Sequence, residues 1–310
     1  DEGVLYMQQA VDEGIMSPAY NVWDVDTEYI DPDFLELCLH SPQAMQYYKD
    51  KLRGTTARRR SIPTADLLAL RTPIPDRETQ RKAVAALDKL SSLIAQHRRQ
   101  LEKLDELVKA RFVEMFGDPQ INPHHYTQRR LSDVALYFNG LTYKPEDVAE
   151  EGTIVLRSSN IQNNQLDFGD TVRVGCAIRE RLMVQENDIL MCSRNGSAKL
   201  VGKVALIKEI EEPMSFGAFM MIIRSNYFSY LLAYFQMNAF RQQIRTGATT
   251  TINQITGRML DGIIIPLPPM EAVNQFSVFV AQSDKSKAAV QQSLNKLEAL
   301  KKSLMQQYFG

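Results

Sequence analysis

A chain that repeats itself at long range must build the same local structure twice. Residues 54–117 align without a gap on residues 247–310, and fifteen of the 64 positions are identical. Pro73 meets Pro266, Pro75 meets Pro268 and Glu78 meets Glu271. Leu101, Lys103, Leu104 and Leu107 meet Leu294, Lys296, Leu297 and Leu300, and Phe116-Gly117 meets Phe309-Gly310. Self-similarity at one fixed offset marks a duplicated supersecondary unit.

Each copy reads as a Pro-rich turn followed by a long helix. The turns are Thr72-Pro73-Ile74-Pro75-Asp76 and Ile265-Pro266-Leu267-Pro268-Pro269. Proline keeps the chain from being helical up to this point, and Asp76 is suited to be an N-cap. Neither Pro nor Gly then occurs up to Phe116 in the first copy or from Met270 to Phe309 in the second. Each helix is therefore predicted at about 40 residues, or about 60 Å.

The apolar spacing is that of a coiled coil. Leu87, Leu90, Ile94, His97, Leu101, Leu104, Val108, Arg111 and Met115 step by three and four. Val280, Ser283, Lys287, Val290, Leu294, Leu297, Lys301, Leu304 and Tyr308 do the same. Leu87, Leu90, Ile94, Leu101 and Leu104 are expected to face Val280, Val290, Leu294, Leu297 and Leu304 in a seam. The polar members predict wetter layers between them. A compact domain joins the end of the first helix to the start of the second. Helices that pair directly must then run antiparallel.

The intervening chain has strand-like runs at Thr153–Leu156, Asp188–Met191, Gly202–Ile207 and Ala218–Ile223, and an amphipathic helix is expected over Tyr227–Arg245. One helix is likewise expected over Phe34–Arg53. Residues 1–71 resemble in placement the end of the second domain. By the repeat offset Asp1 matches Arg194, so this segment is expected to be the C-terminal part of a first domain and the chain a fragment of a longer protein. The expected boundaries are 1–71, 72–117, 118–264 and 265–310. The fold class is α+β: two domains, the first partial, joined by two long antiparallel coiled-coil helices.

Composition narrows the function. With 310 residues, 44% hydrophobic and 24% charged, the chain can bury real cores. A formal net charge of -1 excludes a uniformly polybasic binder but leaves room for a local basic face. Cys38, Cys176 and Cys192 are scattered, which argues against a disulfide scaffold or a zinc module and for a reducing, cytoplasmic setting. No apolar run reaches the roughly 18 residues of a membrane span. No catalytic constellation is expected. Asn122-Pro123-His124 is not an amino-methylation motif, and Gly196 to Gly202-Lys203-Val204 has the wrong spacing for a phosphate loop and Val204 where Ser or Thr would bind magnesium. His124-His125 lacks the spacing of a helical metal site, so no metal is expected.

Two stretches carry a resemblance. Gln100-Leu101-Glu102-Lys103-Leu104-Asp105-Glu106-Leu107-Val108-Lys109-Ala110-Arg111-Phe112-Val113-Glu114-Met115-Phe116-Gly117-Asp118 follows one Pro-x-Pro turn. Leu294-Asn295-Lys296-Leu297-Glu298-Ala299-Leu300-Lys301-Lys302-Ser303-Leu304-Met305-Gln306-Gln307-Tyr308-Phe309-Gly310 follows the other. Both resemble the helical regions of type I restriction-modification specificity subunits. The resemblance implies a DNA-reading subunit without catalytic residues of its own, in which two target-recognition domains each read half of a split double-stranded DNA site. It implies two adenine-N6 methyltransferase subunits docked on the helices, with S-adenosylmethionine in those partners. It also implies restriction (motor-nuclease) subunits that use ATP and magnesium. The alternative is a non-catalytic coiled-coil scaffold with globular protein-interaction heads.

DNA contact needs cations, hydroxyls and amides on loops over a groove. Candidate loops are Arg157-Ser158-Ser159-Asn160, Arg194-Asn195-Gly196-Ser197-Ala198-Lys199 and the Thr249-Thr250 stretch that leads to Asn253-Gln254, with Tyr143-Lys144 as a fourth. The bland reading of each is a solvated polar turn. Residues 1–48 hold ten Asp and Glu and no Lys or Arg, after which Lys49, Lys51, Arg53, Arg58, Arg59 and Arg60 follow closely. Arg53, Arg58, Arg59 and Arg60 are expected to form a phosphate-contacting edge, because clustered arginines repel one another without an anion.

Overall fold

The computed structural model describes residues 5–7, 14–15, 17, 21–52, 62–246 and 254–309. The helices are α1 (Pro32–Leu39), α2 (Pro42–Lys51), α3 (Thr64–Leu68), α4 (Arg77–Phe116), α5 (Phe228–Phe235), α6 (Asn238–Thr246), α7 (Gly257–Asp261) and α8 (Met270–Phe309). The strands are β1 (Gln128–Arg130), β2 (Leu136–Asn139), β3 (Val148–Ala149), β4 (Thr153–Leu156), β5 (Ile161–Gln162), β6 (Gln165–Leu166), β7 (Arg173–Val174), β8 (Ile189–Cys192), β9 (Val204–Leu206), β10 (Met214–Phe216), β11 (Met220–Arg224) and β12 (Ile264–Pro266). The chain divides into two compact units: residues 1–104 with 286–310, and residues 105–285.

In the first unit α4 and α8 pack antiparallel, as the domain placement predicts. Ser91 meets Lys301 and, six residues on, His97 meets Ser293, so the partners descend along one helix as they rise along the other, and Arg98 pairs with Glu298 on the flank. Asp76 caps α4: its Oδ1 accepts from the Thr79 amide at 2.9 Å. Leu87, Leu90, Ile94 and Leu294 are buried, and Leu101, Leu104, Val290, Leu297 and Leu304 are half-buried. The wetter layers have specific partners. His97 Nδ1 lies 3.0 Å from the Leu93 carbonyl and its Nε2 3.0 Å from Ser293 Oγ. Lys301 Nζ donates to Ser91 Oγ at 2.8 Å.

The start of α4 and the end of α8 share a core with α1. Ile30, Phe34, Cys38, Ala83, Leu87, Met305 and Phe309 are buried together. Gln80 is fully buried and fully used: its Oε1 accepts from the Asp31 amide, and its Nε2 donates to the Pro75 and Tyr29 carbonyls. The expected single helix over Phe34–Arg53 is in fact two, α1 and α2. Ser41 caps α2, and Pro42 at its first turn has no amide to continue α1.

The second unit has three layers. The sheet β2-β11-β8-β9 is the middle one, antiparallel throughout. Its side chains alternate: Ile189, Met191, Met221 and Ile223 pack toward the helices, while Leu190, Cys192, Met220 and Ile222 pack toward the second sheet. That sheet, β10-β4-β7-β3, contains one parallel pair, β10 with β4. Both faces of the middle sheet are covered, so its strands read as continuous apolar runs. β1 pairs with β12 and β5 with β6 in small ribbons.

On the helical side, Tyr230, Leu231, Tyr234 and Phe235 of α5 and Ala239, Phe240 and Ile244 of α6 enter the core. The expected helix over Tyr227–Arg245 breaks at Gln236-Met237, whose amides reach back three residues to Ala233 and Tyr234. Without that break α6 would continue along the α5 axis instead of folding back to bury Phe240 against Phe235, 4.8 Å between centroids. Phe112 and Phe116 of α4 meet Phe276 of α8 and Tyr230 of α5 in an aromatic cluster. Val280, a predicted seam residue, packs half-buried against this core.

The sequence repeat is a structural repeat. α3 and α4 start at Thr64 and Arg77, and α7 and α8 start at Gly257 and Met270, the same offset as the sequence alignment. α1 and α2 correspond to α5 and α6 with three residues more between the copies. In each unit the Phe that ends a long helix meets the same helix of the repeat. Phe309 lies 5.1 Å from Phe34 of α1, and Phe116 lies 5.1 Å from Tyr230 of α5.

Candidate nucleic-acid interface

The topology of the second unit gathers loops at one edge. β4 and β10 are parallel and end together at Leu156 and Phe216. A tight turn, closed by the Met220 amide on the Gly217 carbonyl at 2.8 Å, carries β10 into β11. β11 begins beside the end of β8, with Met220 opposite Cys192, and beside the end of β2, with Met221 opposite Asn139. The segments after β2, β4, β8 and β10 therefore emerge at one edge of the two sheets. These segments hold Tyr143-Lys144, Arg157–Asn160 and Arg194–Lys199.

Close backbone contacts lock this edge. Leu141 donates its amide to the Phe216 carbonyl at 2.7 Å. A Cβ on Gly140 would lie 2.2 Å from the Gly217 carbonyl oxygen, so only glycine permits this approach. The Phe219 carbonyl accepts from the Ser193 and Arg194 amides at 3.0 and 3.1 Å. Arg194 pairs with Gln254 as an isolated bridge, and the Ile255 amide donates to the Ser193 carbonyl at 2.7 Å.

The side chains connect two of the predicted loops. Asn195 Nδ2 donates to Ser158 Oγ at 3.2 Å, and Asn195 Oδ1 accepts from the Ser197 amide at 2.9 Å. Arg194, Ser197 and Lys199 are exposed, and the Arg194 guanidinium lies over the Phe219 ring, 5.5 Å from its centroid. Lys144 is exposed, with Nζ 3.5 Å from Glu146, and Tyr143 is half-buried.

Two predicted residues are engaged within the chain, Arg157 half-buried and Asn160 fully buried. Arg157 Nη2 donates to Asp170 Oδ2 at 2.8 Å. Asn160 Oδ1 accepts from the Arg157 amide, and its Nδ2 donates to the Asp167 and Asp170 carbonyls at 2.9 Å. In this structure Asn160 braces the loop from beneath, while Ser158 stands on the side of Asn195. Arg53, Arg58, Arg59, Arg60, Thr249, Thr250 and Asn253 lie outside the described residues.

Sequence reasoning passed over Phe219. It placed Ala218–Ile223 in a strand, whereas Ala218 and Phe219 form the turn and β11 starts at Met220. Gly217 just before the turn was the available signal. Cys192 lies beneath the edge, and burial pushes its thiol up despite Lys203 nearby, so it stays protonated at neutral pH. Among the described residues no group of His, Cys, Asp or Glu gathers that could hold a metal ion, and no helix is long and apolar enough to cross a membrane.

A family model described as the type I restriction modification DNA specificity domain matches residues 123–302, which include this whole edge. The chain belongs to this family. It is 30% identical over 183 residues to the type I restriction enzyme EcoKI specificity subunit of Escherichia coli (strain K12). That match covers 55% of this chain and 39% of the relative, so the chain spans well under half of that protein. Among solved structures, the S subunit of the type I restriction-modification system from M. genitalium superposes with a TM-score of 0.56 at 15% identity, covering 92% of this chain and 74% of that one. A structure described as the basis of complex assembly and conformational transition of the type I R-M system gives 0.55 at 19% identity, with 91% and 72% covered. These two share the fold with this specificity-family chain.

Proposed function

We propose that this chain is the sequence-reading subunit of a type I restriction-modification enzyme and performs no chemistry itself. Unit two is a target-recognition domain whose sheet edge lies on duplex DNA. The observation that supports this reading is the convergence of Arg194, Asn195, Ser197, Lys199, Ser158 and Lys144 on one locked edge. Hydroxyls, amides and cations held on rigid strand ends are what base and phosphate recognition requires. Arg194 and Lys199 supply charge, and the bonded Asn195–Ser158 pair supplies donors and acceptors for a groove.

On this reading the site on DNA is bipartite. The first unit, with Arg53 and the Arg58–Arg60 run, belongs to the domain that reads the other half. The long helices serve as spacer and as docking surface for two adenine-N6 methyltransferase subunits, and restriction subunits join them. S-adenosylmethionine belongs to the methyltransferases, and ATP and magnesium to the restriction subunits. The doubled helix end, with Phe116 and Phe309 in equivalent cores, supports two equivalent docking places.

The test is to assemble the chain with the methyltransferase and compare the Arg194→Ala/Lys199→Ala variant with the parent. Unchanged mass of the complex by light scattering, with specific DNA binding lost, is expected. Retained site affinity in the variant rejects this edge as the reading surface.

A further inference from the structure

Phe219 is a large apolar side chain in an exposed place. It occupies the second central position of a tight turn at the protein surface, a position that most residue types can take. The residue is 59% exposed and belongs to neither core of its unit, although Met220 beside it is buried. The backbone under the ring is fixed: its carbonyl accepts two amides, and its turn is closed by Met220 on Gly217. The Arg194 guanidinium lies over the ring, 5.5 Å from the centroid. A rigid exposed aromatic thus stands among the Arg194–Lys199, Ser158 and Gln254 segments, on the edge with the cationic and amide groups.

Resting on the proposed DNA-reading role, we propose that Phe219 is an apolar contact residue for duplex DNA, seated against base edges or a base step, with Arg194 oriented by its ring. The chemistry fits a nucleic acid better than a protein partner. The ring is single and its surround is cationic and amidic, which suits stacked bases between phosphates, whereas protein interfaces gather several apolar anchors. Aromatic contact with a base needs no hydrogen bonds, so it adds affinity at a position where polar loops cannot. The guanidinium over the ring makes no ion pair with an acidic group among the described residues, so its fork is available to a phosphate or a guanine.

Phe168 provides the internal control. It is 47% exposed in the same unit but stands beside Asp167, on a loop where the cation Arg157 is already ion-paired with Asp170. The experiment uses the full chain assembled with the methyltransferase and a pool of randomised-sequence duplex DNA, from which the parent selects its best-bound fraction. A photoreactive p-benzoylphenylalanine in place of Phe219 is expected to crosslink to the selected duplexes, and one in place of Phe168 is not. Phe219→Ala is expected to bind the selected fraction about tenfold more weakly or worse, while Phe219→Trp holds affinity. Phe219→Leu, which keeps apolar bulk in the turn, guards against a folding defect and is also expected to bind more weakly.

A parent that selects duplexes while Phe219→Ala stays within about twofold of it, or while position 219 gives no crosslink, overturns the inference and leaves the DNA-reading role standing. An Arg194→Ala variant as weak as the Arg194→Ala/Phe219→Ala double variant, again without a crosslink, means that the ring only supports Arg194, and overturns it too. A parent that selects no duplex at all overturns both.

Discussion

Asn160 separates two meanings of a polar loop residue. Its amide is buried and satisfies one backbone N–H and two backbone carbonyls of the 157–170 loop. Asn160→Ala leaves those groups without partners and is expected to cost about 2–3 kcal/mol, read by urea denaturation. Asn160→Asp is expected to be no better, because a carboxylate cannot donate to the Asp167 and Asp170 carbonyls. A wild-type midpoint in either variant would contradict this bracing role. Asp76 illustrates a pH effect. Bonds from the Thr79 amide and hydroxyl hold its carboxyl below the usual aspartate value. Its stabilising effect is therefore present above the unfolded aspartate pKa and is lost as pH falls through the lower folded value. Asp76→Asn keeps an N-cap without a titrating charge, so its acid-denaturation limb should be shallower than the parent's while its neutral-pH melting temperature stays close.

At the scale of elements, the long helices were the most legible part. Uninterrupted stretches without Pro or Gly, a three-four apolar step and a repeat fixed their ends at Phe116 and Phe309. The short helices were less so. Pro42 was a signal for the break after α1 that the single-helix reading over Phe34–Arg53 passed over, whereas Gln236-Met237 carries no breaker, because that break follows from packing Phe240 on Phe235. The candidate edge was legible as polar loops and illegible as a surface. Periodicity shows that β4, β8 and β10 exist, and only their pairing shows that they end together. The seam's polar layers were visible as exceptions to the heptad, but their partners were not. His97 with Ser293 is such a layer. Ser293→Ala is expected to cost up to about 1 kcal/mol, whereas the double variant His97→Leu/Ser293→Ala should match or exceed the parent. Thermal unfolding of the four members of the cycle checks this, and additive losses would deny the pair a shared role.

At the scale of the whole chain, a net charge of -1 means that no broad field draws DNA in. Binding must come from a few local cations, which makes its salt dependence countable. Each phosphate neutralised releases about 0.9 counterion from duplex DNA. Arg194 and Lys199 are exposed, carry no acidic partner among the described residues, and share one edge. Replacing either with Ala should flatten the slope of log affinity against log salt by about 1, and replacing both by about 2. Arg173 supplies the contrast. It holds Glu212 in a bidentate ion pair at 2.5 and 2.9 Å, which raises its own pKa and lowers that of Glu212. Its charge is already neutralised within the chain, so Arg173→Ala should leave the slope unchanged even where it changes stability. Titrations of the parent and these variants with one duplex at several salt concentrations decide the matter. Equal slopes for all five proteins would move the phosphate contacts away from the Arg194–Lys199 loop.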